Sequence, residues 1–311
     1  MRFHAPAPIG VMFPRPRRPL VARLVAAAVL GVMLAVTIAG VVLYVCGMRW
    51  FMVETPSMGT AAPVGTLVIT APTPFTAVHV GEVIAFRPPT EPQHVYTHRV
   101  AAITPTGVET RGDINGATDG WRLTKQDLIG RAVALIPGVG FLLRAVPMLI
   151  AGNAVVWLIT RTSRVPAQRA ALRNIGFHLV AALPSFVLHP FVQILVLQTQ
   201  AAGSHIRAAV VSTGLLPVRV SASSGQHLDL IDGQVGTLSL PTTAGGYHLT
   251  ANLDLTTPEL LLLIAICLIP MVVTFVVGLP EGPSENAPAR RVVSRRDRDR
   301  DRRRGSLISE T

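Results

Sequence analysis

The chain is poor in charged, aromatic and cysteine side chains for its length of 311 residues. Only 14% of the residues are charged, 5% are Phe, Trp or Tyr, and lysine occurs once, as Lys125. Half of the residues are hydrophobic, and the mean hydropathy is +0.47. Soluble domains rarely carry so much apolar sequence, so this composition excludes an ordinary soluble protein and predicts a membrane protein.

Cys46 and Cys267 are the only cysteines. Both lie in long apolar runs, where a cysteine usually acts as a small packing residue. Two such residues exclude a small domain built on disulfides, and no Cys/His spacing suggests a structural zinc site.

The positive charge is concentrated at one end of the chain. The net charge is +11 and the sequence pI is about 11.3, values that in a folded domain would suggest a nucleic-acid partner. From Arg290 to Arg304, however, nine arginines stand against three aspartates in a tail without an apolar period. We therefore predict a disordered, solvated tail and no nucleic-acid partner.

The first long apolar run predicts a transmembrane helix. Residues Leu24 to Met48 contain no charge and are long enough to cross the hydrocarbon core of a bilayer. Arg49, Trp50 and Phe51 follow, as is typical of an anchor at the membrane surface. Because a cleaved signal peptide has a shorter apolar core, we expect the chain to keep this helix.

Three further apolar runs complete a predicted four-span protein of the plasma membrane. Arg144 and Pro147 interrupt the second run, which leaves a re-entrant segment as the alternative there. Since Lys and Arg concentrate in cytoplasmic loops, the basic segments place the chain ends and the middle loop in the cytoplasm. The predicted spans are 24–48, 139–159, 175–197 and 260–279; the cytoplasmic segments are 1–23, 160–174 and 280–311; the outer segments are 49–138 and 198–259.

Both outer segments have the pattern of β structure, so the predicted fold is a mainly β extracytoplasmic domain on about four transmembrane α-helices. In segment 49–138, runs rich in β-branched residues predict five strands. They are Leu67 to Thr70, Val80 to Arg87, Val95 to Ile103, Val108 to Arg111 and Leu128 to Ile136. Segment 198–259 also predicts strands, over Arg207 to Val220 and Leu228 to Leu253, and is interpreted as a docking or lid module or as a connecting β element without activity.

Three short stretches of the first outer segment carry the residue types of acyl-transfer chemistry. They are Thr55-Pro56-Ser57-Met58, Thr97-His98-Arg99-Val100 and the acidic box from Gly112 to Asp119. A serine hydroxyl becomes a useful nucleophile when a base such as histidine removes its proton, and a buried carboxylate can orient that histidine. Taken singly, each of these residues is more often a turn or packing residue, so the prediction depends on their joint occurrence.

Together these stretches resemble signal peptidase I, in the serine/histidine branch of the endoplasmic reticulum, archaea and some Gram-positive bacteria. The resemblance covers roughly Leu24 to Gly140. It consists of a Ser-Met pair after the first span, a Pro/Gly stretch leading into a strand, a His-Arg-Val triplet and a Gly-Asp box. Here these are Ser57-Met58, Pro63 to Ile69, His98 to Val100, and Asp113 to Asp119.

The resemblance implies a membrane-anchored serine protease domain with defined roles for six residues. Ser57 would be the nucleophile, His98 the general base and Asp119 the carboxylate that orients it. Asp113 would support the loop as a further residue of the catalytic set, and Thr55 and Met58 would serve the oxyanion and the substrate. A serine/lysine mechanism is excluded, because the lysine position of that branch is occupied by His98 and Lys125 lies beyond the box.

The function implied by the resemblance is removal of N-terminal signal peptides from exported proteins at the outer membrane face. Its partners would be signal-peptide-bearing precursors, membrane lipids and the secretion translocon, with no cofactor and no metal. One rival is a catalytically silent membrane scaffold, or chaperone for a secreted surface protein. In this rival Ser57 would not react, whereas in a peptidase it would. A second is a protein whose basic tail binds acidic lipids or a cytoplasmic partner, which deletion of residues 290–311 would reveal.

Overall fold

The structure, a computed structural model, describes residues 20–163, 165–188, 191–202, 205–222, 224–241 and 248–277. The predicted disordered tail, 280–311, and most of the basic segment 1–23 lie outside these residues. Two compact units make up the chain, and each is described by itself. The first comprises Met1–Arg144 and Leu188–Leu255, and the second Ala145–Val187 and Thr256–Thr311.

Four α-helices are present in the described residues: α1 (Leu20–Val45), α2 (Val139–Arg161), α3 (Pro166–Leu188) and α4 (Thr257–Val277). The first three contain segments that are long and apolar enough to cross a membrane. In α4 the apolar stretch found within the described residues is shorter, Thr257–Ile269. Part of the predicted fourth span, 260–279, lies outside the described residues.

The predicted third span, 175–197, is wrong in its bounds. Helix α3 starts nine positions earlier, at Pro166, so most of the predicted cytoplasmic loop 160–174 is helical. The helix ends at Leu188, two residues before Pro190, whose ring cannot continue a helix. The apolar residues after Phe191 enter a β-strand. Hydrophobicity alone does not distinguish a buried helix from a strand, so the predicted span extended into this strand.

Two glycines allow α2 and α3 to approach closely in the second unit. A side chain at Gly152 would lie 2.7 Å from Val180, and one at Gly176 would lie 2.6 Å from Val156. Small residues at such crossings let helix backbones come together, as is common in membrane helices. The packing supports a paired arrangement of these two helices.

A six-stranded antiparallel sheet forms the β domain that follows α1, in the order β1-β2-β6-β3-β4-β5. Its five predicted strands are confirmed, with the second shorter than expected. An additional strand, β1, pairs with β2, although its residues were expected to be only a surface anchor. The strands are β1 (Arg49–Met52), β2 (Leu67–Ala71), β3 (Val83–Phe86), β4 (Tyr96–Thr104), β5 (Gly107–Arg111) and β6 (Leu128–Ile136).

Two apolar clusters support this sheet. One lies between β3, β4 and β5 and includes Phe86, Val100 and Leu123, each at most 1% exposed. The other includes Val68 and Met58 and lies beneath the chain that follows β1. Burying such side chains contributes about 1.5–3 kcal/mol each before the conformational entropy is counted. These clusters fix the strands on which the polar residues of the domain are placed.

A second β module, residues 194–253, consists of two three-stranded antiparallel sheets, β10-β9-β12 and β11-β8-β7. Apolar residues from both sheets, among them Val210, Val220 and Leu240, form one buried cluster, so the sheets pack as a small sandwich. The strands are β7 (Ile194–Ala202), β8 (His205–Ser212), β9 (Val218–Ala222), β10 (His227–Leu230), β11 (Val235–Pro241) and β12 (Leu249–Leu253).

Asp232, in the turn between β10 and β11, is a carboxyl group whose charge is poorly solvated. Its Oδ1 atom is buried without a hydrogen-bond partner. Burial raises its pKa from 3.8 to about 6, while a hydrogen bond from the Gly233 backbone opposes this shift. The pKa of Asp232 is higher in the folded than in the unfolded protein, so the protonated side chain stabilises the folded state. This contribution to the free energy of unfolding is lost as the pH rises from about 4 through 6.

We expect Asp232→Asn to stabilise the folded protein at pH 7.5 and to have little effect near pH 3.5. The change removes a poorly solvated charge, and the gain at pH 7.5 should be on the order of 1 kcal/mol because the site is partly screened by solvent. Thermal unfolding of the purified chain in detergent at the two pH values measures it.

Asp229→Asn provides the matched control in the same module. Asp229 is exposed, and its hydrogen bonds with Arg219 lower its pKa, so neutralising it should not stabilise the protein at pH 7.5. A gain from Asp232→Asn that is equal at both pH values would contradict the assignment of the effect to the buried charge.

Candidate active site

Ser57 lies in a short helical turn that follows β1. Residues Pro56–Ala61 form 3-10 turns that break at Gly59, where φ is 53° and ψ is −137°. Thr55 is extended, with φ −124° and ψ 150°, as a following proline favours. The fixed φ of Pro56 suits the first position of a helical turn, so the turn begins there and places Ser57 at its start.

His98 lies on β4 with its ring inside the aromatic part of the core. It is opposite Ile84 of β3 and is 4% exposed. The rings of Phe86 and Tyr96 meet the imidazole edge to face, with centroids at 6.2 and 5.9 Å. Such an apolar surrounding excludes water and strengthens the hydrogen bonds that the imidazole makes.

Ser57, His98 and Asp119 form one hydrogen-bonded series. His98 Nε2 lies 3.0 Å from Ser57 Oγ, and His98 Nδ1 lies 2.7 Å from Asp119 Oδ2. A carboxylate only accepts hydrogen bonds, so the ring proton is assigned to Nδ1 and Nε2 is left to accept the serine hydroxyl. The histidine and aspartate side chains are only 5% and 7% exposed, so this pair is shielded from solvent.

Two residues absent from the sequence prediction hold Asp119 in place. The Thr110 hydroxyl donates to Asp119 Oδ2 at 2.6 Å, and Trp121 Nε1 donates to the Thr110 hydroxyl at 3.3 Å. The backbone N–H of Asp119 also donates to the Thr110 carbonyl. Thr110 faces Val100 across the β4–β5 hairpin. The short connection between the two predicted strands, Val95 to Ile103 and Val108 to Arg111, was the available signal that this residue lies near His98.

Asp113 is not bonded to His98 and instead forms an ion pair with Arg99. The guanidinium donates to both carboxylate oxygens, at 2.8 and 2.6 Å, and also to the Gly81 carbonyl. Hydrogen bonding to Asp113 raises the pKa of Arg99 further above its usual range. Of the two aspartates in the acidic box, Asp119 therefore contacts the histidine and Asp113 fixes the loop to β4.

The loop after β5 also contacts the serine turn through its backbone. The Ile114 N–H donates to the Ser57 carbonyl at 3.0 Å. A side chain at Gly112 would lie 2.7 Å from the same carbonyl, so the loop and the turn are in close contact at this point. The position of Ser57 thus depends on the loop that also contains Asp113 and Asp119.

Thr55 and Met58, expected to serve the oxyanion and the substrate, differ in their placement. Thr55 Oγ1 lies 3.5 Å from Ser57 Oγ, beside the reactive hydroxyl. The Met58 side chain is 1% exposed and packs in the core with Val53 and Val68. The expectation of substrate contact by the Met58 side chain is therefore corrected, because the turn directs this apolar group inward.

Residues 22–118 match the family described as signal peptidase, peptidase S26. These residues are a signal peptidase domain. The matched region includes Ser57, His98 and Asp113 and ends one residue before Asp119. The resemblance noted in the sequence is confirmed at the level of this family. A search of curated proteins found no match to the chain.

In this signal peptidase domain the hydrogen-bonded series opens into a cleft of about 170 Å³. The cleft is lined by Ser57 and His98, by residues 51–55 at the end of β1 and just after it, and by residues 94–97 before and within β4. The serine hydroxyl is thus reachable from a narrow space bordered by extended chain. Among the described residues, no group of three or more His, Cys, Asp or Glu side chains could hold a metal ion.

The pair of Arg99 and Asp113 should contribute to stability in a way that a double-mutant cycle can measure. Arg99→Gln and Asp113→Asn should each lower the free energy of unfolding, and the double variant should lose less than their sum, with a coupling of about 1 kcal/mol. Chemical unfolding of the four purified proteins measures this quantity.

Arg122 and Glu109 supply a comparison pair in the same domain, with an ion-pair contact at 2.6 Å and an exposed arginine. Its coupling should be smaller, because the Arg99 pair has two parallel hydrogen bonds. A coupling near zero for Arg99 and Asp113 would show that this pair does not fix the loop.

Proposed function

We propose that the chain is a signal peptidase I, a membrane-bound serine endopeptidase that removes N-terminal signal peptides from exported proteins at the outer membrane face. The observation that carries the proposal is the series Ser57–His98–Asp119, with contacts of 3.0 and 2.7 Å, whose serine and histidine lie in the region that matches the signal peptidase family. A catalytically silent scaffold would not need a buried, correctly ordered series of this kind.

In the first step, His98 Nε2 takes the hydroxyl proton of Ser57 as Oγ attacks the carbonyl carbon of the scissile peptide bond. The tetrahedral intermediate collapses when the imidazolium gives this proton to the leaving nitrogen. The C–N bond breaks, the mature protein leaves with a new amino terminus, and the signal peptide remains as an ester on Ser57.

In the second step, a water molecule takes the place beside His98 that the leaving amine has vacated. His98 takes a proton from the water as its oxygen attacks the ester carbonyl, and then returns a proton to Ser57 Oγ as the ester C–O bond breaks. The signal peptide leaves as a free acid. No redox change or cofactor is needed for either step.

Asp119 and Thr110 act through His98 in this proposal. The carboxylate accepts from Nδ1, so it holds the ring orientation and stabilises the imidazolium that forms in each step. The Thr110 hydroxyl donates a hydrogen bond to the same carboxylate oxygen and keeps the carboxylate from rotating away. Thr110 is therefore a positioning residue, whereas Asp119 belongs to the catalytic set.

Thr55 is proposed to assist the oxyanion. Its hydroxyl lies 3.5 Å from Ser57 Oγ, close to where the carbonyl oxygen of a bound substrate would develop charge. Pro56 has no N–H, so the donors proposed for this oxygen are the Ser57 N–H and the Thr55 hydroxyl. A pair of donors at such a site lowers the energy of the tetrahedral intermediate.

The cleft supports a substrate that is extended and has small side chains near the cleaved bond. The main chain of the substrate would fill part of the cleft volume of about 170 Å³, which leaves room only for small side chains. The bordering residues 51–55 offer backbone groups for pairing with an extended peptide, as in recognition by an added strand. Ser57 follows α1 closely in the chain, which would keep the cleft near the membrane surface, where a signal peptide ends.

Substitution of the series should separate catalytic from structural residues. Ser57→Ala and His98→Ala should lower turnover by about a millionfold, and Asp119→Asn by on the order of ten-thousandfold, while the proteins remain folded. Asp113→Asn should keep measurable turnover, because this side chain contacts Arg99 and not His98. The measurement is cleavage of a model precursor by purified, detergent-solubilised variants whose folding is checked by thermal unfolding.

Full activity of folded Ser57→Ala would refute Ser57 as the nucleophile, whereas a folded original chain without any turnover would favour the scaffold. Full activity of Asp119→Asn with a folded but inactive Asp113→Asn would mean that the two aspartates have the opposite roles.

The proposed topology has four spans, with the cleft outside and all basic segments in the cytoplasm. Three helices are apolar enough to span, and the fourth is proposed from the sequence of segment 260–279. With an even number of spans, the segments 1–23 and 280–311 and the short connection between α2 and α3, which contains Arg164 and follows Arg161, all fall on one side. The distribution of Lys and Arg in membrane proteins favours this arrangement.

Accessibility of single cysteines tests this topology. In a chain with Cys46→Ala and Cys267→Ala, a cysteine in place of Ser224, an exposed residue of the β9–β10 turn, should react with an impermeant thiol reagent added to intact cells. A cysteine in place of Ser163, between α2 and α3, should react only after the cells are opened. The reverse labelling at either position would contradict the four-span arrangement.

A further inference from the structure

The second β module contacts the turn that carries Ser57. A side chain at Gly233 would lie within 3.0 Å of the carbonyl of Gly59 and 2.9 Å from the nitrogen of Thr60. Real side chains essentially never come this close to backbone, so Gly233 permits a contact that no other residue could make. Both partners are main chain, which cannot move aside without moving the turn.

The part of the module that makes this contact is firmly held. Gly233 has a φ of +74° and lies in the tight turn between β10 and β11. Its N–H donates to the Ser212 carbonyl, and the Ser212 N–H donates to the Gln234 carbonyl, so the turn is fixed to the end of β8. Ser212 itself is fully buried. The turn therefore presents a rigid surface to Gly59.

The serine turn also contacts the acidic loop of the peptidase domain, residues 112–119. A side chain at Gly59 would lie 2.5 Å from Cγ2 of Ile114, and the Ile114 N–H donates to the Ser57 carbonyl. Gly59 is thus enclosed by Ile114 and Gly233, one from each β domain. Two glycines with positive φ, at 59 and 233, meet at this point.

A second contact joins the same end of the sandwich to the peptidase domain. A side chain at Gly138 would lie 3.1 Å from the side chain of Leu215, which is in the loop between β8 and β9. The loops at 213–217 and 231–234 lie at one end of the sandwich, because Val211 and Val235 pair beside them. This end of the module is the face that covers the serine turn.

From these contacts we infer that the second β module is part of the catalytic apparatus and that Gly233 is a positioning residue for Ser57. This inference rests on the proposed function. The module holds the backbone of residues 57–60 against the acidic loop, and so keeps Ser57 Oγ within reach of His98 Nε2. Without this support, the serine turn would keep the packing of Met58 and the contact with the acidic loop but lose the contact at Gly59.

The expected effect is on the chemical step and not on substrate binding. Displacement of a reacting atom by about 1 Å can cost on the order of a hundredfold in rate. The residues that line the cleft belong to the peptidase domain, so the binding surface is not formed by the module. A disturbed contact at Gly233 should therefore lower kcat and leave KM nearly unchanged.

Gly233→Ala and Gly225→Ala form a matched pair for the test. Gly225 lies in the β9–β10 turn of the same module with a φ of +83°, and a side chain there would meet nothing within 4 Å. Both variants carry the penalty of a side chain at positive φ, but only Gly233→Ala presses against the serine turn. The full-length variants are purified in detergent, and kcat and KM are measured on a model precursor.

We expect Gly233→Ala to lower kcat on the order of ten- to a hundredfold, with KM within about twofold of the original value. Gly225→Ala should retain the original kcat. Amide hydrogen exchange in a peptide covering residues 53–66 should become faster in Gly233→Ala only. If Gly233→Ala does not fold, Gly233→Asn and Gly225→Asn replace the pair, since asparagine tolerates positive φ better and has the same Cβ.

Equal kcat values for the two glycine variants would overturn the inference. The original chain and Ser57→Ala are measured in parallel to keep this failure separate from failure of the proposed function. If those two have equal turnover, the proposed function is wrong. If the original chain is active, Ser57→Ala is not, and Gly233→Ala behaves like Gly225→Ala, only the role of the module is wrong.

Discussion

The hydrogen bond between His98 and Asp119 is the interaction on which the arrangement of the candidate site depends. Its length of 2.7 Å and its burial leave one orientation for the imidazole, with Nε2 directed at Ser57. A buried carboxylate and imidazole would be costly without such pairing. The β4–β5 hairpin, the Thr110 hydroxyl and the aromatic rings around His98 all serve to hold this pair away from water.

Sequence reasoning identified five of the six strands of the peptidase domain and the three residues of the series, because both leave local signals. The strands carry runs of β-branched residues, and Ser57, His98 and Asp119 stand in short motifs of recognisable order. Thr110 could not be found in the same way, because a threonine on a strand is usually a packing residue and its role depends on the register of the hairpin. Likewise, Met58 belongs to a motif, but its inward direction follows from the geometry of the turn.

The second β module marks the limit of what apolar patterns predict. Its first strand follows α3 after a short connection, and both are apolar, so the pattern merged part of a strand with a helix. The contact between Gly233 and Gly59 leaves no trace in either local pattern, since each glycine is explained by its own turn. Only the packing of the two β domains reveals that these turns meet, and this packing gives the module a proposed role beside the serine.

The central claim, that Ser57 attacks the precursor, is tested most directly by trapping the covalent intermediate. A purified precursor is mixed with the detergent-solubilised chain, quenched with acid at short times, and digested for mass spectrometry. The account predicts an adduct on the peptide containing Ser57, with the mass of the signal peptide less one water, that forms and decays and is absent in Ser57→Ala. Cleavage of the precursor with no ester at Ser57, or with an adduct on another residue, would contradict the account.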